Sequence, residues 1–200
     1  MNIQNNLEFS SKNKKIKTST RVWYSSEISQ MQSPIFVSLA TNDVKTNKLP
    51  KCLFSRQETL DKYVYHFDAK INRAVLGRNF VKNRFEKRRV TGLGQIEKLR
   101  LNPHIHLVLD FKTHMDVELS FCEFHRQFSP DWNLIQRTAK FQELSNIPKM
   151  IDFHWKEICP NGTTNVQPVY DINGITKYIT KEIYSNNINF VSLPAKSLAG

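Results

Sequence analysis

Two histidines separated by one residue are the feature of this sequence that points most directly to chemistry. His104 and His106 flank Ile105 at the start of an apolar, β-forming run. Since residues i and i+2 of a strand point to the same face, the two imidazoles project together. Neutral imidazole is a common ligand of divalent metal ions, so the pair predicts half of a metal site. Short motifs also arise by chance, and a half-exposed strand with polar alternate positions is the competing interpretation.

A carboxylate lies seven residues before the first histidine. Residues Val90 to Lys98 are predicted to form a strand and Arg100 to Pro103 a turn, which makes this strand the antiparallel partner of the histidine strand. Glu97 then lies beside the histidines if its side chain shares their face. Gln95, two residues earlier, points to the same side as Glu97 and is a weaker ligand candidate. Two imidazoles, a hard carboxylate and the oxygens of a phosphate substrate suit Mg²⁺ or Mn²⁺.

A tyrosine and a lysine late in the chain supply a candidate nucleophile and a candidate cation. Tyr178 and Lys181 are three residues apart, and a helix predicted after Asp171 places them on one face. A phenol with a pKa of about 10 is a poor nucleophile unless a cation favours its phenolate or a metal polarises its target. Lys181 could supply that cation, or neutralise charge on a phosphate in the transition state. The alternative is a tyrosine at the edge of the core beside a solvated lysine.

Basic residues outnumber acidic residues in this chain. Its 200 residues include 29 Lys and Arg against 18 Asp and Glu, and the net charge of +11 favours a polyanion as partner. The segment from Lys70 to Arg100 is strongly basic, and its interleaved Asn and Phe residues suit single-stranded nucleic acid. A solvated charged face is the alternative. The predicted nucleic-acid-binding residues are Arg73, Arg78, Lys82, Arg84, Lys87, Arg88, Arg89 and Lys177.

The composition argues against several classes of protein. No apolar stretch is long enough to span a bilayer, and the polar N-terminus has no signal-peptide core. Three widely spaced cysteines form neither a CxxC pair nor a disulfide framework. We therefore expect a cytoplasmic protein without membrane contact. Residues 1–33 are expected to form a basic, flexible N-terminal arm, residues 34–190 the folded domain and residues 191–200 a C-terminal tail.

The order of the predicted elements is typical of an α+β domain. Pro34 to Thr41 is predicted to be a core strand, and a capping box at Ser55 precedes a long amphipathic helix that Gly77 ends. A mostly antiparallel central sheet with helices packed on it accounts for the order. The elements predicted after the histidine strand are a helix from Asp116 to about Phe128, a hairpin of strands Ile151 to Ile158 and Asn165 to Tyr170, and a helix capped by Asp171 or Asn173 that runs to about Tyr184.

Three segments, taken in chain order, resemble the motifs of HUH endonucleases. The strand Phe36 to Thr41 resembles the first motif, His104-Ile105-His106 matches the second, and Tyr178 to Lys181 matches the third as Tyr-x-x-Lys. Within that superfamily the chain resembles the rolling-circle replication initiators (Rep proteins) of small plasmids and phages that use a single catalytic tyrosine. The resemblance spans roughly residues 34 to 184 and implies a ferredoxin/RRM-like sheet with helices on one face.

The resemblance implies a specific reaction on single-stranded DNA. A metal held by His104, His106 and Glu97 would polarise the scissile phosphate while Tyr178 attacks it, leaving a 5′-phosphotyrosine and a free 3′-hydroxyl. Nicking and joining of this kind would initiate rolling-circle replication at an origin hairpin. The sequence contains no GxxxxGK[ST] loop, so a separate helicase is expected as a partner beside the replicative polymerase. Tyr184 has poor helical phase with Tyr178 and is not expected to be a second nucleophile.

Three other functions stay open at this point. A single-tyrosine transposase of the same superfamily would use the same chemistry on the ends of a mobile element. A non-catalytic, RRM-like nucleic-acid-binding protein would carry stacking aromatic residues on the central strands, where this chain has His104 and His106. A metal-dependent phosphoesterase that uses water as its nucleophile would not need Tyr178.

Overall fold

The computed structural model of the chain describes residues 3–43, 49–111, 136, 146–181, 183 and 189–194, with side chains from residue 15 onward. The helix predicted from Asp116 to Phe128 and the side chain of Tyr184 lie outside the described residues. No helix in the described ranges has the length and apolar character needed to cross a bilayer. The elements, in chain order, are α1 (Ile3–Ser29), β1 (Pro34–Ala40), α2 (Leu53–Leu76), a 3-10 helix (Asn83–Arg88), β2 (Thr91–Glu97), β3 (His104–Asp110), α3 (Ile147–Ile158), β4 (Thr163–Pro168), α4 (Ile172–Ile179) and β5 (Phe190–Leu193).

The five strands form one sheet in the order β4-β1-β3-β2-β5. Every neighbouring pair is antiparallel. Strand β3 lies between β1 and β2, so β1, α2 and β2 make a split β-α-β unit, and the described α-helices and strands from β1 to β4 follow the β-α-β-β-α-β order. The predicted α+β class, with a mostly antiparallel central sheet and helices packed on it, is confirmed.

One face of the sheet, which we call the core face, packs against α2 and α3. Because side chains alternate along a strand, every second residue of β1 and β3 points to this side. The indole of Trp155 in α3 is fully buried there, and its Nε1 donates a hydrogen bond to the carbonyl oxygen of Ala40 at 3.0 Å. Further members of this cluster are Val37, Leu39, Leu60, Phe67, Ile105 and Leu107.

The opposite face, which we call the site face, carries a smaller apolar cluster and the polar residues discussed below. Tyr24 and Ile28 of α1 and Ile179 of α4 pack there against Phe36 and Val108. Helices therefore flank both faces of the sheet, whereas the resemblance noted above implies helices on one face only. The additional cover on the site face comes largely from the N-terminal helix.

Helix α1 occupies a segment for which the sequence predicts a flexible arm. Its sequence is mostly polar, but Tyr24 and Ile28 are one turn apart and both are buried. The hydroxyl of Tyr24 donates a hydrogen bond to the carbonyl oxygen of Gly94 at 2.7 Å, and burial raises the pKa of this phenol. The structure differs from the prediction because a few buried side chains anchor a helix whose composition alone would not stabilise it.

The start of α2 also differs from the prediction. The helix begins at Leu53, so Ser55 lies inside the first turn, and the N-cap residue Cys52 makes no side-chain capping hydrogen bond. Arg56 is buried and forms an ion pair with Asp43 at 3.0 Å. A tertiary contact, rather than the predicted capping box, therefore accompanies this helix start. The predicted end at Gly77 is confirmed, because that residue is the C-cap with a positive φ of 79°.

The predicted strand from Ile151 to Ile158 is wrong, because these residues belong to helix α3. Ile151 and Trp155 are one turn apart and buried, while Phe153 is 61% exposed on the other side of the helix. The predicted return strand exists as β4 but pairs with β1, where Val166 lies opposite Val37. The next helix begins as predicted, since the Asp171 carboxylate caps it by accepting from Gly174 N at 2.9 Å, but it ends earlier than predicted, at Ile179.

Candidate active site

The hairpin of β2 and β3 brings the predicted carboxylate to the histidines. Glu97 lies opposite His104 in the register, and Gln95 lies opposite His106. Glu97 Oε2 is 3.2 Å from His106 Nε2. Both residues are buried on the site face, at 1% exposure for Glu97 and 3% for His106. The predicted antiparallel pairing is confirmed, and Glu97 shares the face of the histidines.

Strand β1 orients the ring of His106 from the other side. Ser38 lies opposite His106 in the register, and Ser38 Oγ is 2.8 Å from His106 Nδ1. The ring of Phe36 stacks on the imidazole with ring centroids 5.7 Å apart and an interplanar angle of 17°. The tautomer in which Nδ1 donates to Ser38 Oγ is the one that would leave the Nε2 lone pair for a metal ion shared with Glu97. A hydrogen bond of this kind orients a metal-binding histidine.

Tyr178, near the end of α4, and Lys181, in the turn that follows, lie beside Glu97 and His106. Lys181 Nζ lies 3.0 Å from Glu97 Oε2 and 3.8 Å from the centroid of the Tyr178 ring. The rings of Tyr178 and His106 approach edge to face with centroids 5.1 Å apart. Tyr178 is 42% exposed, so a large substrate can reach it. An accessible phenol thus stands beside an ammonium group, with a buried carboxylate and imidazole next to them.

Two cations of α1 hold the turn that carries Lys181. Lys17 Nζ donates a hydrogen bond to the backbone carbonyl of Lys181 at 2.6 Å, and Arg21 Nε donates to Thr180 Oγ1 at 3.0 Å. Both positive charges lie at the C-terminal end of α4, where the helix dipole favours them. The N-terminal helix therefore fixes the position of Lys181 relative to Tyr178.

The protonation of the site follows from these contacts. Burial by itself would raise the pKa of Glu97, but its contacts with His106 and Lys181 hold the pKa below its ordinary value. Burial by itself would lower the pKa of Lys181, but its contacts with Glu97 and Tyr178 raise it. Burial and nearby positive charge lower the pKa of His104. At neutral pH the site therefore holds an ionised carboxylate, a charged ammonium group and a neutral His104 ring.

The donor atoms of Glu97, Gln95 and His106 fit a hard divalent cation in part. Glu97 Oε1 and Gln95 Oε1 are buried without a hydrogen-bond partner among the described residues. Glu97 Oε2 and His106 Nε2 are close to each other but not aligned for a hydrogen bond. Their separation of 3.2 Å is near the spacing of about 3 Å between adjacent ligands of an octahedral Mg²⁺. A bound cation would satisfy Glu97 Oε1 and Gln95 Oε1, and a buried polar atom left unpaired costs about 1–3 kcal/mol.

His104 departs from the predicted ligand set. Its Nε2 lies 3.3 Å from Asn102 Nδ2, and its ring centroid is 6.1 Å from that of His106. Within the described ranges, no group of three or more His, Cys, Asp or Glu side chains is arranged to hold a metal ion. A ligand set of three would need the His104 ring to turn away from Asn102 toward Glu97 and His106.

The structure separates most of the predicted nucleic-acid-binding residues from this cluster. The 3-10 helix is exposed, and the chain from it enters β2 at Thr91, six residues before Glu97. At about 3.3 Å per residue, that start lies ~20 Å from Glu97 along the strand. Arg89 turns inward and donates to the carbonyl oxygens of Phe80 and Val81. Of the predicted cations, Lys177 on α4 lies next to Tyr178.

Sequence reasoning missed four residues that shape the site. Ser38 and Phe36 could be found from strand parity, because they alternate with the core-face residues of β1 and the register sets Ser38 opposite His106. Lys17 and Arg21 carry no such signal. Their role depends on α1 folding back onto α4, and the local sequence predicts an arm instead.

The comparisons with known proteins assign no family. No protein-family model, curated protein or solved structure matches the chain. The chemical interpretation of the site therefore depends on the residues and geometry described above.

Proposed function

We propose that this protein nicks and joins single-stranded DNA by metal-assisted transesterification to a tyrosine, as HUH replication initiators do. The observation that carries the proposal is the convergence of Glu97, His106, Tyr178 and Lys181 on one face of the sheet. These residues come from β2, β3, α4 and the turn after α4. Together they supply a carboxylate and an imidazole that can bind a metal, a phenol that can act as nucleophile, and a cation.

The proposed step exchanges one phosphate ester for another. Tyr178 Oη attacks the phosphorus, the bond from phosphorus to the 3′-oxygen breaks, and the DNA remains attached to the tyrosine through its 5′-phosphate. The phenolic proton leaves to solvent, and the departing 3′-oxygen takes up a proton. The Lys181 ammonium group, 3.8 Å from the centroid of the phenol ring, would stabilise the negative charge that develops in the transition state. Since water is not the nucleophile, the 3′-hydroxyl can reverse the step and rejoin the strand.

Glu97 and His106 are the residues that would hold Mg²⁺ or Mn²⁺, with His104 as the third ligand after rotation of its ring. The bound metal would polarise the scissile phosphate. Ser38 keeps the His106 ring in place through Nδ1, and Lys181 helps to keep Glu97 ionised. These roles account for Ser38, Glu97, His106 and Lys181 in the same reaction.

We place this activity at the initiation of rolling-circle replication of a plasmid or phage, in the cytoplasm, with a separate helicase and polymerase. Transposition of a mobile element would use the same chemistry. The non-catalytic alternative is disfavoured by Phe36, the aromatic residue on central strand β1. Phe36 is 3% exposed and packs against His106 and Tyr178, so it is not a platform on which a base can stack.

The proposal is tested on a denaturing gel. The full chain is incubated with a single-stranded oligonucleotide pool of random sequence that carries a 3′-fluorophore, in Mn²⁺ or in EDTA. The variant is Tyr178→Phe, and the matched control is Tyr65→Phe, which alters another exposed tyrosine on α2. We expect a fluorescent band at the mass of protein plus DNA for wild type and Tyr65→Phe in Mn²⁺ only.

Each other outcome of the gel contradicts the proposal in a distinct way. Cleavage without a linked band would indicate a phosphoesterase that uses water. An unchanged band in Tyr178→Phe would exclude this tyrosine as the nucleophile. Binding of the pool without cleavage in any metal would indicate a non-catalytic nucleic-acid-binding protein.

A further inference from the structure

A cleft of about 460 Å³ opens beside the nucleophile, between α4 and the edge of the sheet formed by β1 and β4. Tyr178 belongs to its wall, so the cleft is continuous with the site. Its volume is within the range of small-molecule sites in proteins. The wall residues that matter here are Phe36, Asn165, Gln167, Asp171, Ile175 and Tyr178.

Strand β4 places two amide side chains in this wall. Asn165 lies opposite Ser38 in the register and Gln167 opposite Phe36, so both share the site face. Val166, between them, is buried on the core face. The outward position of the two amides is therefore set by the alternation of a strand that is anchored through its apolar residues.

The chemistry of the wall favours a neutral, planar ligand with a hydrogen-bonding edge. Among the described residues that line the cleft there is no Lys or Arg, and the carboxylate of Asp171 is present, so a phosphate is not suited to it. The side chains of Ile175 and Tyr178 offer apolar and aromatic surface. An amide presents both a donor and an acceptor, which is the pairing used to read the edges of bases.

We propose that the cleft holds one unpaired base of the DNA strand, next to the bond that Tyr178 attacks, and that Asn165 and Gln167 read its edge. This inference rests on the proposed function, because it assigns a specificity pocket to the same substrate. Single-stranded nucleic acids are recognised in this way, with bases splayed out against aromatic residues and bonded along their edges. Phosphate contacts would then be made outside the cleft, for example by Lys177.

The sequences of the DNA products show which bases the protein selects beside the nick. Wild-type protein is incubated with the random single-stranded pool in Mn²⁺, and both DNA products are sequenced. The linked 3′ fragments give the base after the nick, and the released 5′ fragments, ligated through their free 3′-hydroxyl, give the base before it. The variants are Asn165→Ala and Gln167→Ala, and the matched control is Gln30→Ala, which alters an exposed glutamine beyond the end of α1. Thermal melting checks that all four proteins are folded.

We expect wild type and Gln30→Ala to prefer one base at one position beside the nick by about tenfold or more. Asn165→Ala, Gln167→Ala or both should reduce that preference to about threefold or less while preferences at other positions stay. The inference is overturned if both variants keep the wild-type preference, or if they lose preference equally at all positions. Absence of any linked product in wild type would instead contradict the proposed function itself, so the two failures are distinguishable.

Discussion

The two faces of the same sheet differ in what their helices cover. On the core face, α2 and α3 bury Leu60, Phe67 and Trp155 completely, and no charged side chain of the described sheet points there. On the site face, α1 and α4 cover part of the sheet and leave Tyr178 exposed beside the buried pair Glu97 and His106. Because side chains alternate along β3, this one strand contributes residues to both faces of the sheet. We therefore expect changes on the core face to reduce stability and changes on the site face to reduce activity.

The largest effect on stability is expected at the centre of the core face. Trp155→Ala should lower the free energy of unfolding by about 3–5 kcal/mol, because it leaves a cavity and removes the hydrogen bond to Ala40. Denaturant unfolding measures this, and Phe153→Ala on the exposed side of the same helix should cost less than about 1 kcal/mol. Equal losses in the two variants would contradict the assignment of the core face.

After Tyr178→Phe, which removes the nucleophile, the largest effect on activity is expected at Glu97. Glu97→Gln keeps the shape of the side chain but removes its charge, so it should reduce the rate of linked-product formation by about 100-fold through weaker metal binding. The gel assay with a range of Mn²⁺ concentrations measures this, and Glu58→Gln at an exposed position is the control. A wild-type rate in Glu97→Gln at every Mn²⁺ concentration would show that Glu97 does not bind the metal.

A smaller effect is expected at Ser38, whose hydroxyl contacts the imidazole of His106. Ser38→Ala removes the hydrogen bond to His106 Nδ1 and should weaken Mn²⁺ binding by about 10-fold. Calorimetric titration of the protein with Mn²⁺ measures the affinity directly. Raised Mn²⁺ in the gel assay should restore most of the lost rate. Failure of high Mn²⁺ to restore it would show that Ser38 acts in another way.

The smallest effect is expected from the exposed 3-10 helix, which belongs to neither face. The double variant Lys82→Gln/Arg84→Gln should weaken binding of single-stranded DNA a few-fold at low salt. The slope of log affinity against log salt should fall by about 0.7 for each phosphate that the variant no longer neutralises. Fluorescence anisotropy at several salt concentrations measures both quantities. An unchanged slope would exclude this segment from the DNA interface.

The two faces also differ in how well the sequence predicts them. The strands β1, β2 and β3 and the pairing of β2 with β3 follow from alternation and from the turn before His104, and this places Glu97 beside the histidines. Helix α3 could not be distinguished from a strand, because Ile151, Phe153 and Trp155 alternate as in a strand while Ile151 and Trp155 also fit a helix. Only the packing of one side against α2 decides between the two.

The position of α1 was beyond local sequence reasoning for a different reason. Its polar composition predicts an arm, and the contacts that order it are with elements far along the chain: Tyr24 with Gly94 and Arg21 with Thr180. The orientation of the His104 ring toward Asn102 is similarly a matter of tertiary geometry that spacing does not determine. Residue spacing predicts which groups can meet, and long-range packing decides which of them do.

The central claim is that Tyr178 becomes covalently joined to DNA, and mass spectrometry tests it most directly. The linked product formed in Mn²⁺ is digested with nuclease and protease, and its peptides are sequenced. We predict a nucleotide 5′-phosphate on Tyr178, in the peptide that continues to Lys181. A nucleotide on any other residue, or linked product from Tyr178→Phe, would contradict the account.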